Sequence, residues 1–149
     1  MNKKVLMVNG SPRQNGNTAR ALKEVADALA KEGVESEVVW IGVKPVRGCF
    51  AAGANVQGKP AACIAVCRRG GSTAAFQAMN MPFEMLNCPL VTSQYWNIAY
   101  GRAEEECGVD AEGMQTMRTM ARNMAWLIKS LKDNPPPARE PWQMTSFIR

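Results

Sequence analysis

The stretch from Val5 to Ile41 constrains the fold of this chain more than any other. Val5-Leu6-Met7-Val8 is an unbroken apolar run closed by Asn9-Gly10. Such a run reads as a buried strand of a parallel sheet, apolar on both faces. A polar turn, Gly10 to Thr18, follows. Then Leu22, Val25, Ala26 and Leu29 recur at the spacing of one helical face, with Lys23, Glu24 and Lys31 on the other side. Gly33 ends that helix. A second strand is expected over Glu37–Gly42, carrying Val38, Val39, Trp40 and Ile41. Strand, helix and strand within ~40 residues make a βαβ unit with a right-handed crossover.

The remainder continues in the same style. Further strands are expected over Ala61–Cys67 and Pro89–Ser93, with a short helix between them bearing Phe76 and Met79. A long final helix is expected from Ala111 to Lys132. Met114, Met117, Ala121, Met124, Ile128 and Leu131 follow its period, and Lys129 and Lys132 close it as the helix dipole favours. Its methionines read as core or as a dimer surface, not as a metal site. Asn134-Pro135-Pro136-Pro137 stops the helix. Val43–Pro60, broken by Gly and Pro, reads as an irregular linker. The length of 149 residues fits one domain, 1–149, with that linker (43–60) and a tail (134–149) that holds Trp142 and Phe147.

Composition narrows the chemistry. There is no histidine, which removes Ser-His-Asp and Cys-His sites, histidine bases and histidine metal ligands. No apolar run reaches membrane-spanning length, and the run after Met1-Asn2-Lys3-Lys4 is too short for a signal peptide core. Lys and Arg number 18 against 13 Asp and Glu. The excess is local: Val38 to Phe83 contains no acid but holds Lys44, Arg47, Lys59, Arg68 and Arg69. Either this is chance in a short window or the region meets an anionic partner. No nucleic-acid-binding signature accompanies it, and a phosphorylated small molecule fits better. The five cysteines, Cys49, Cys63, Cys67, Cys88 and Cys107, form no C-x-x-C pair. They read as buried thiols in a reducing cytoplasm.

Gly10-Ser11-Pro12-Arg13-Gln14-Asn15-Gly16-Asn17-Thr18 carries the strongest functional signal. It joins the end of a strand to the start of a helix, where unpaired N–H groups and the positive end of the dipole meet. Ser11, Asn15, Asn17 and Thr18 add short donors, Arg13 adds a forked charge, and Gly10 and Gly16 allow close backbone approach. This suits a phosphate monoester. The plain alternative is an ordinary turn capped by Asn17 or Thr18. Walker A spacing and its Lys are missing, as is G-x-G-x-x-G, so NTP hydrolysis and a dinucleotide fold are not indicated. Arg68-Arg69-Gly70-Gly71 follows a later strand and either lines the same crevice or forms an exposed basic turn. Tyr95 and Trp96 are either core aromatics or a stacking surface.

These residues resemble the NAD(P)H-dependent FMN reductase family of flavodoxin-like proteins. The likeness lies in Lys4 to Arg13 with Gly16-Asn17-Thr18, in Arg47-Gly48-Cys49, Gly58-Lys59-Pro60, Arg68 to Gly71 and Ser93 to Asn97, and in the final helix with Arg139-Glu140-Pro141-Trp142. The resemblance implies an α/β class fold, a flavodoxin-like three-layer α/β/α sandwich around a parallel sheet, here reduced to as few as four strands. It implies bound FMN, NADPH or NADH as electron donor, a small-molecule acceptor such as a flavin, quinone or nitroaromatic, and a homodimer; composition and cysteine usage point to a cytoplasmic location and to neither nucleic acid nor membrane as partner. Ser11, Arg13, Asn15, Gly16, Asn17 and Thr18 would hold the FMN phosphate. Arg68, Arg69, Gly70 and Gly71 would lie along the ring or ribityl chain. No side-chain acid or base is required, because the flavin does the chemistry.

The chain departs from the family in two places. Where relatives carry further cysteines after the position of Cys49, this chain has Phe50-Ala51-Ala52-Gly53-Ala54, which supplies no cluster ligands. The family's central strand, its flanking helices and a Ser-Pro-x-Tyr-type loop have no counterpart before Gly58. With strand order 2-1-3-4-5, the neighbour of the first strand would be missing, leaving two rows of backbone groups unpaired. Three arrangements answer this: a sequence joined across an omitted segment, Ala61–Cys67 sliding beside the first strand, or a partner chain filling the gap. The corresponding alternatives to an enzyme are a non-catalytic flavin or phosphate-binding module and a truncated relative acting as an interaction protein.

Overall fold

The computed structural model describes residues 4–43, 56–138, 140, 141 and 143. Most of the expected linker, with Cys49, and the tail positions Trp142 and Phe147 lie outside the described residues. The element order is β1 (Lys4–Asn9), α1 (Asn17–Lys31), β2 (Glu35–Trp40), β3 (Ala65–Cys67), α2 (Ser72–Met85), β4 (Ile98–Tyr100), a 3-10 turn (Glu106–Val109) and α3 (Ala111–Ser130). It is the mixed α/β, flavodoxin-like arrangement, with every strand pairing parallel.

The four strands form two separate two-stranded ribbons, β1-β2 and β3-β4. β3 pairs with β4 and not with β1, so the third strand does not slide into the vacant place. One helical layer holds both ribbons. α1 and α3 pack on each other and bury Leu22, Val25, Leu29, Met114, Met117, Met120 and Met124 against Met7, Val91 and Ala99. Each such fully buried Leu or Met contributes about 1.5–3 kcal/mol. The methionines of α3 are thus core, filling an irregular space as their flexible chains allow. α2 lies on the opposite side of β3-β4, where Phe76 meets Cys63, Ala65 and Ile98. Ala62, Ile64 and Val66 face the α1/α3 layer instead, as the two-residue period of an extended chain requires.

The reading of β1 as buried on both faces is corrected. Met7 is buried, but Leu6 and Val8 are 64% and 54% exposed. No helix among the described residues covers their side of the β1-β2 ribbon. Elements also shift. The second strand starts earlier than expected, at Glu35. Of Ala61–Cys67 only Ala65–Cys67 is ladder, with an isolated bridge from Ala61 to Leu90. The fourth strand is Ile98–Tyr100 and not Pro89–Ser93. Between those two contacts one strand advances from Ala61 to Ala65 while its partner runs from Leu90 to Ile98. The surplus is extruded as a bulge that exposes Tyr95 (59%) and Trp96 (48%), so neither is a core aromatic. No helix among the described residues is long and apolar enough to cross a membrane.

Candidate functional site

β1 delivers the chain to a loop whose shape is set from beneath by Asn9. That side chain is 1% exposed. Its Oδ1 accepts the Ser11 N–H at 3.0 Å, and its Nδ2 donates to the Gln14 carbonyl at 3.0 Å. Asn closes such turns because its short amide reaches the backbone two residues on. From the side, Trp40 Nε1 donates to the Ser11 carbonyl at 2.8 Å. Ser11 Oγ accepts the Arg13 N–H at 3.2 Å. A Cβ built on Gly16 would stand 3.6 Å from Arg13 Nε, so the Arg13 side chain folds over the entrance to α1.

α1 then starts without a cap. Its N-cap is Gly16, no side chain caps it, and its first turn holds no acid. The expectation that Asn17 or Thr18 serves as N-cap is therefore corrected. A helix start leaves its first amides without intrahelical acceptors and concentrates about half a positive charge there. An uncapped start beside an arginine is electrostatically suited to an anion.

Asn17 has a different task from the one its position suggests. It is 6% exposed. Its Nδ2 donates to the Ala103 carbonyl at 2.7 Å, and its Oδ1 accepts the Cys107 N–H at 3.0 Å. The Cys107 thiol returns a bond to the Asn17 carbonyl at 3.1 Å, and burial pushes that thiol's pKa up. Asn17 thus staples the 101–107 loop to the start of α1. Gly101 is required at the staple, since a Cβ there would stand 2.6 Å from Cys107 N and 2.9 Å from Asn17 Cγ.

The same loop reaches the second candidate segment. Gly101 N–H donates to the Cys67 carbonyl at 3.0 Å, just before Arg68. Glu106 Oε2 accepts the Arg102 and Ala103 amides at 2.5 and 2.6 Å. Its carboxyl is held below the usual range chiefly by the Ala103 and Arg102 amide bonds, which outweigh the opposing effect of burial, with the charges of Arg102 and Arg68 adding less. The carboxyl ends of β1, β3 and β4 therefore gather around one loop, the edge where open α/β sheets take ligands. Arg68, Arg69, Gly70 and Gly71 are exposed there. Gly71, with φ of 91°, is the uncapped N-cap of α2.

Of the ten residues singled out from sequence, Ser11, Arg13, Asn15, Gly16 and Thr18 surround the α1 start. Asn17 offers its backbone amide there and turns its side chain inward. Arg68 to Gly71 stand at the same end of the strands. Sequence reasoning missed Asn9, Trp40, Glu106 and Arg20. Asn9 closes the apolar run of β1 at the point where a turn amide is needed, which is the signal that could have found it. Arg20 donates to Glu24 at 2.9 Å, lies against Gly108, and leaves its buried Nη1 without a partner.

Comparison with known proteins finds two similarities. Residues 3–55 match the sequence model of a family described as NADPH-dependent FMN reductase. An iron-sulfur flavoprotein of Methanocaldococcus jannaschii is 21% identical over an alignment of 191 residues, covering 87% of this chain and 99% of the relative. The alignment is longer than the 149 residues of this chain, so the relative carries residues with no counterpart here. Both similarities are to flavin proteins, and the family match spans β1, the Ser11–Thr18 loop, α1 and β2.

Proposed function

We propose that this chain is an FMN-binding oxidoreductase that draws electrons from NADPH or NADH and passes them to a small acceptor such as a flavin, quinone or nitroaromatic. The observation that carries the reading is the uncapped, acid-free start of α1, braced by Asn9 and Trp40 and overhung by Arg13. The donor set fits a phosphate monoester: first-turn amides, the side chains of Ser11, Asn15 and Thr18, and one guanidinium. Arg68 to Gly71 stand at the same strand ends, where close backbone approach suits the ribityl chain or the ring edge.

When bound, FMN supplies the redox step, taking a hydride from a nicotinamide and releasing the electrons to the acceptor. The protein's part is positioning. Asn9 fixes the loop, Asn17 and Glu106 hold the 101–107 segment against it, and the arginines set a positive potential for anionic ligands. No iron–sulfur cluster is proposed, since Phe50 to Ala54 follow Cys49. Cys63, Cys88 and Cys107 donate instead to the carbonyls of Met79, Val56 and Asn17. Burial pushes the Cys63 thiol to about 11, away from the thiolate a cluster needs.

Among the described residues no strand joins β1 to β3, which gives a second reading, a flavin-binding module without turnover. Steady-state oxidation of NADPH and NADH, with added FMN and a quinone, separates the two. Flavin-dependent oxidation above the protein-free rate supports the enzyme. Flavin bound without turnover supports the module, and no flavin bound overturns both.

A further inference from the structure

The bulge that carries Tyr95 and Trp96 and the first turns of α3 enclose a pocket of about 90 Å³. A single water needs only ~10–15 Å³, so the pocket has room for a small head group. Tyr95, Trp96 and Tyr100 line it together with Asp110, Glu112 and Thr116. None of the ten candidate flavin residues is among its lining. Its walls are anchored. Asn123 Nδ2 donates to the Thr92 carbonyl at 2.8 Å, and Thr119 Oγ1 donates to Gln94 Oε1 at 3.0 Å, which ties the bulge to α3. Ser93 Oγ accepts the Tyr95 N–H at 3.2 Å. Gly113 lets α3 close on β4, since a Cβ there would stand 3.0 Å from the Ala99 Cα.

The groups in the pocket select one kind of ligand. The Tyr95 and Trp96 rings stand 5.0 Å apart at 46°, so they form a corner. Aromatic faces attract cations, Trp most strongly. The positive end of α3 is already answered by Asp110, whose Oδ1 accepts the Gly113 N–H at 2.9 Å and whose Oδ2 accepts the Tyr100 N–H at 2.8 Å. Glu112 is left over: it is exposed, and its carboxylate has no partner among the described residues. Thr116 follows one turn later on the same helix face. It is 1% exposed, yet its hydroxyl makes no hydrogen bond among the described residues. Buried polar groups are rarely left so. No described Lys or Arg lines the pocket, in a chain of net charge +5. An anion would be repelled here, whereas a cation with N–H donors and an apolar stem meets every group.

We propose that this pocket binds the protonated head of a primary alkylamine. The ammonium donates to the Glu112 carboxylate and to Thr116 Oγ1 against the face of Trp96, and the stem lies along the tyrosine rings. The site is separate from the start of α1, takes a ligand of opposite charge, and is independent of the flavin reading.

Titration of the full ¹⁵N-labelled chain with n-butylammonium chloride, followed by amide and indole N–H shifts, tests it. Saturable shifts are expected at the Gly113 and Tyr100 amides and the Trp96 indole, with a dissociation constant in the millimolar range or below. Uncharged n-butanol, at matched salt, should bind at least ~10-fold more weakly. A lysine with blocked ends is the second probe: tighter binding than n-butylammonium assigns a lysine side chain as the ligand, and weaker binding assigns a free amine. Trp96→Leu and Thr116→Val should each weaken binding at least ~3-fold. Glu112→Gln should do the same, and it decides if the other two do not fold, because Glu112 is exposed and without a partner. Arg13→Gln, at the start of α1, should change nothing. Absence of a saturable shift, equal binding of n-butanol, or undiminished binding by Glu112→Gln overturns the proposal.

Discussion

Replacing Asn17 with Ala removes the staple between α1 and the 101–107 loop. The Cys107 N–H loses its acceptor, and Cys107 is fully buried. An orphaned buried donor costs about 1–3 kcal/mol. The bond to the exposed Ala103 carbonyl contributes a further ~0.5–1.5 kcal/mol. Together these predict a loss of about 2–4 kcal/mol, which at ~2–4 °C per kcal/mol for a domain of this size lowers Tm by roughly 4–16 °C. Thermal and urea unfolding followed by circular dichroism measure it. Asn17→Asp sharpens the test. At neutral pH its second oxygen would face the Ala103 carbonyl and repel it, so this variant should be no more stable than Asn17→Ala. The new carboxyl would have a raised folded-state pKa. Protonation restores an O–H donor, so the variant should recover relative to the unaltered protein as pH falls through that value. A change below ~0.5 kcal/mol for Asn17→Ala, or no acid recovery for Asn17→Asp, would refute the staple.

Asn9→Ala should weaken FMN binding about tenfold and cost ~1–3 kcal/mol, since it frees the Ser11 N–H and the Gln14 carbonyl together; calorimetry and urea unfolding read the two effects. Arg13→Gln should lower FMN affinity, flatten its salt dependence and leave Tm unchanged, because Arg13 is exposed. Gly101→Ala should destabilise by about 1–3 kcal/mol through its clash with Cys107 N and Asn17, seen as a lower urea midpoint. Glu24 is held below the usual carboxylate range chiefly by the Arg118 hydrogen bond, with Arg20 adding to it against partial burial. A lowered folded-state pKa gives stability that is present above the ordinary glutamate value and lost as pH falls through the folded one. Unfolding measured between about pH 7 and pH 3 should therefore show a steeper acid loss than in Glu24→Gln.

Local patterns in the sequence were a good guide wherever one element carries its own signal. The periodicity of Leu22 to Leu29 and of Met114 to Met124 foretold α1 and α3, and the apolar run before Gly10 foretold β1. The parallel pairings and the gathering of Ser11–Thr18 and Arg68–Gly71 at one strand end followed from the βαβ logic. Three features were illegible because they depend on neighbours. The exposure of Leu6 and Val8 arises because no helix among the described residues covers their side, which no apolar run can reveal by itself. The 94–97 bulge arises from a length mismatch between two strands far apart in sequence. The inward turn of Asn17 depends on a loop some 90 residues later. A polar residue at a helix start was therefore read as a ligand or cap when its side chain is a tie.

Equilibrium titration with FMN and with riboflavin, at low salt and followed by flavin fluorescence, tests most directly whether the amides at the start of α1 receive a phosphate. FMN should bind in the micromolar range, with riboflavin at least ~10-fold weaker, since a tenfold ratio corresponds to ~1.4 kcal/mol, less than one charge-assisted hydrogen bond supplies. Equal affinity for the two flavins, or binding of neither, would contradict it.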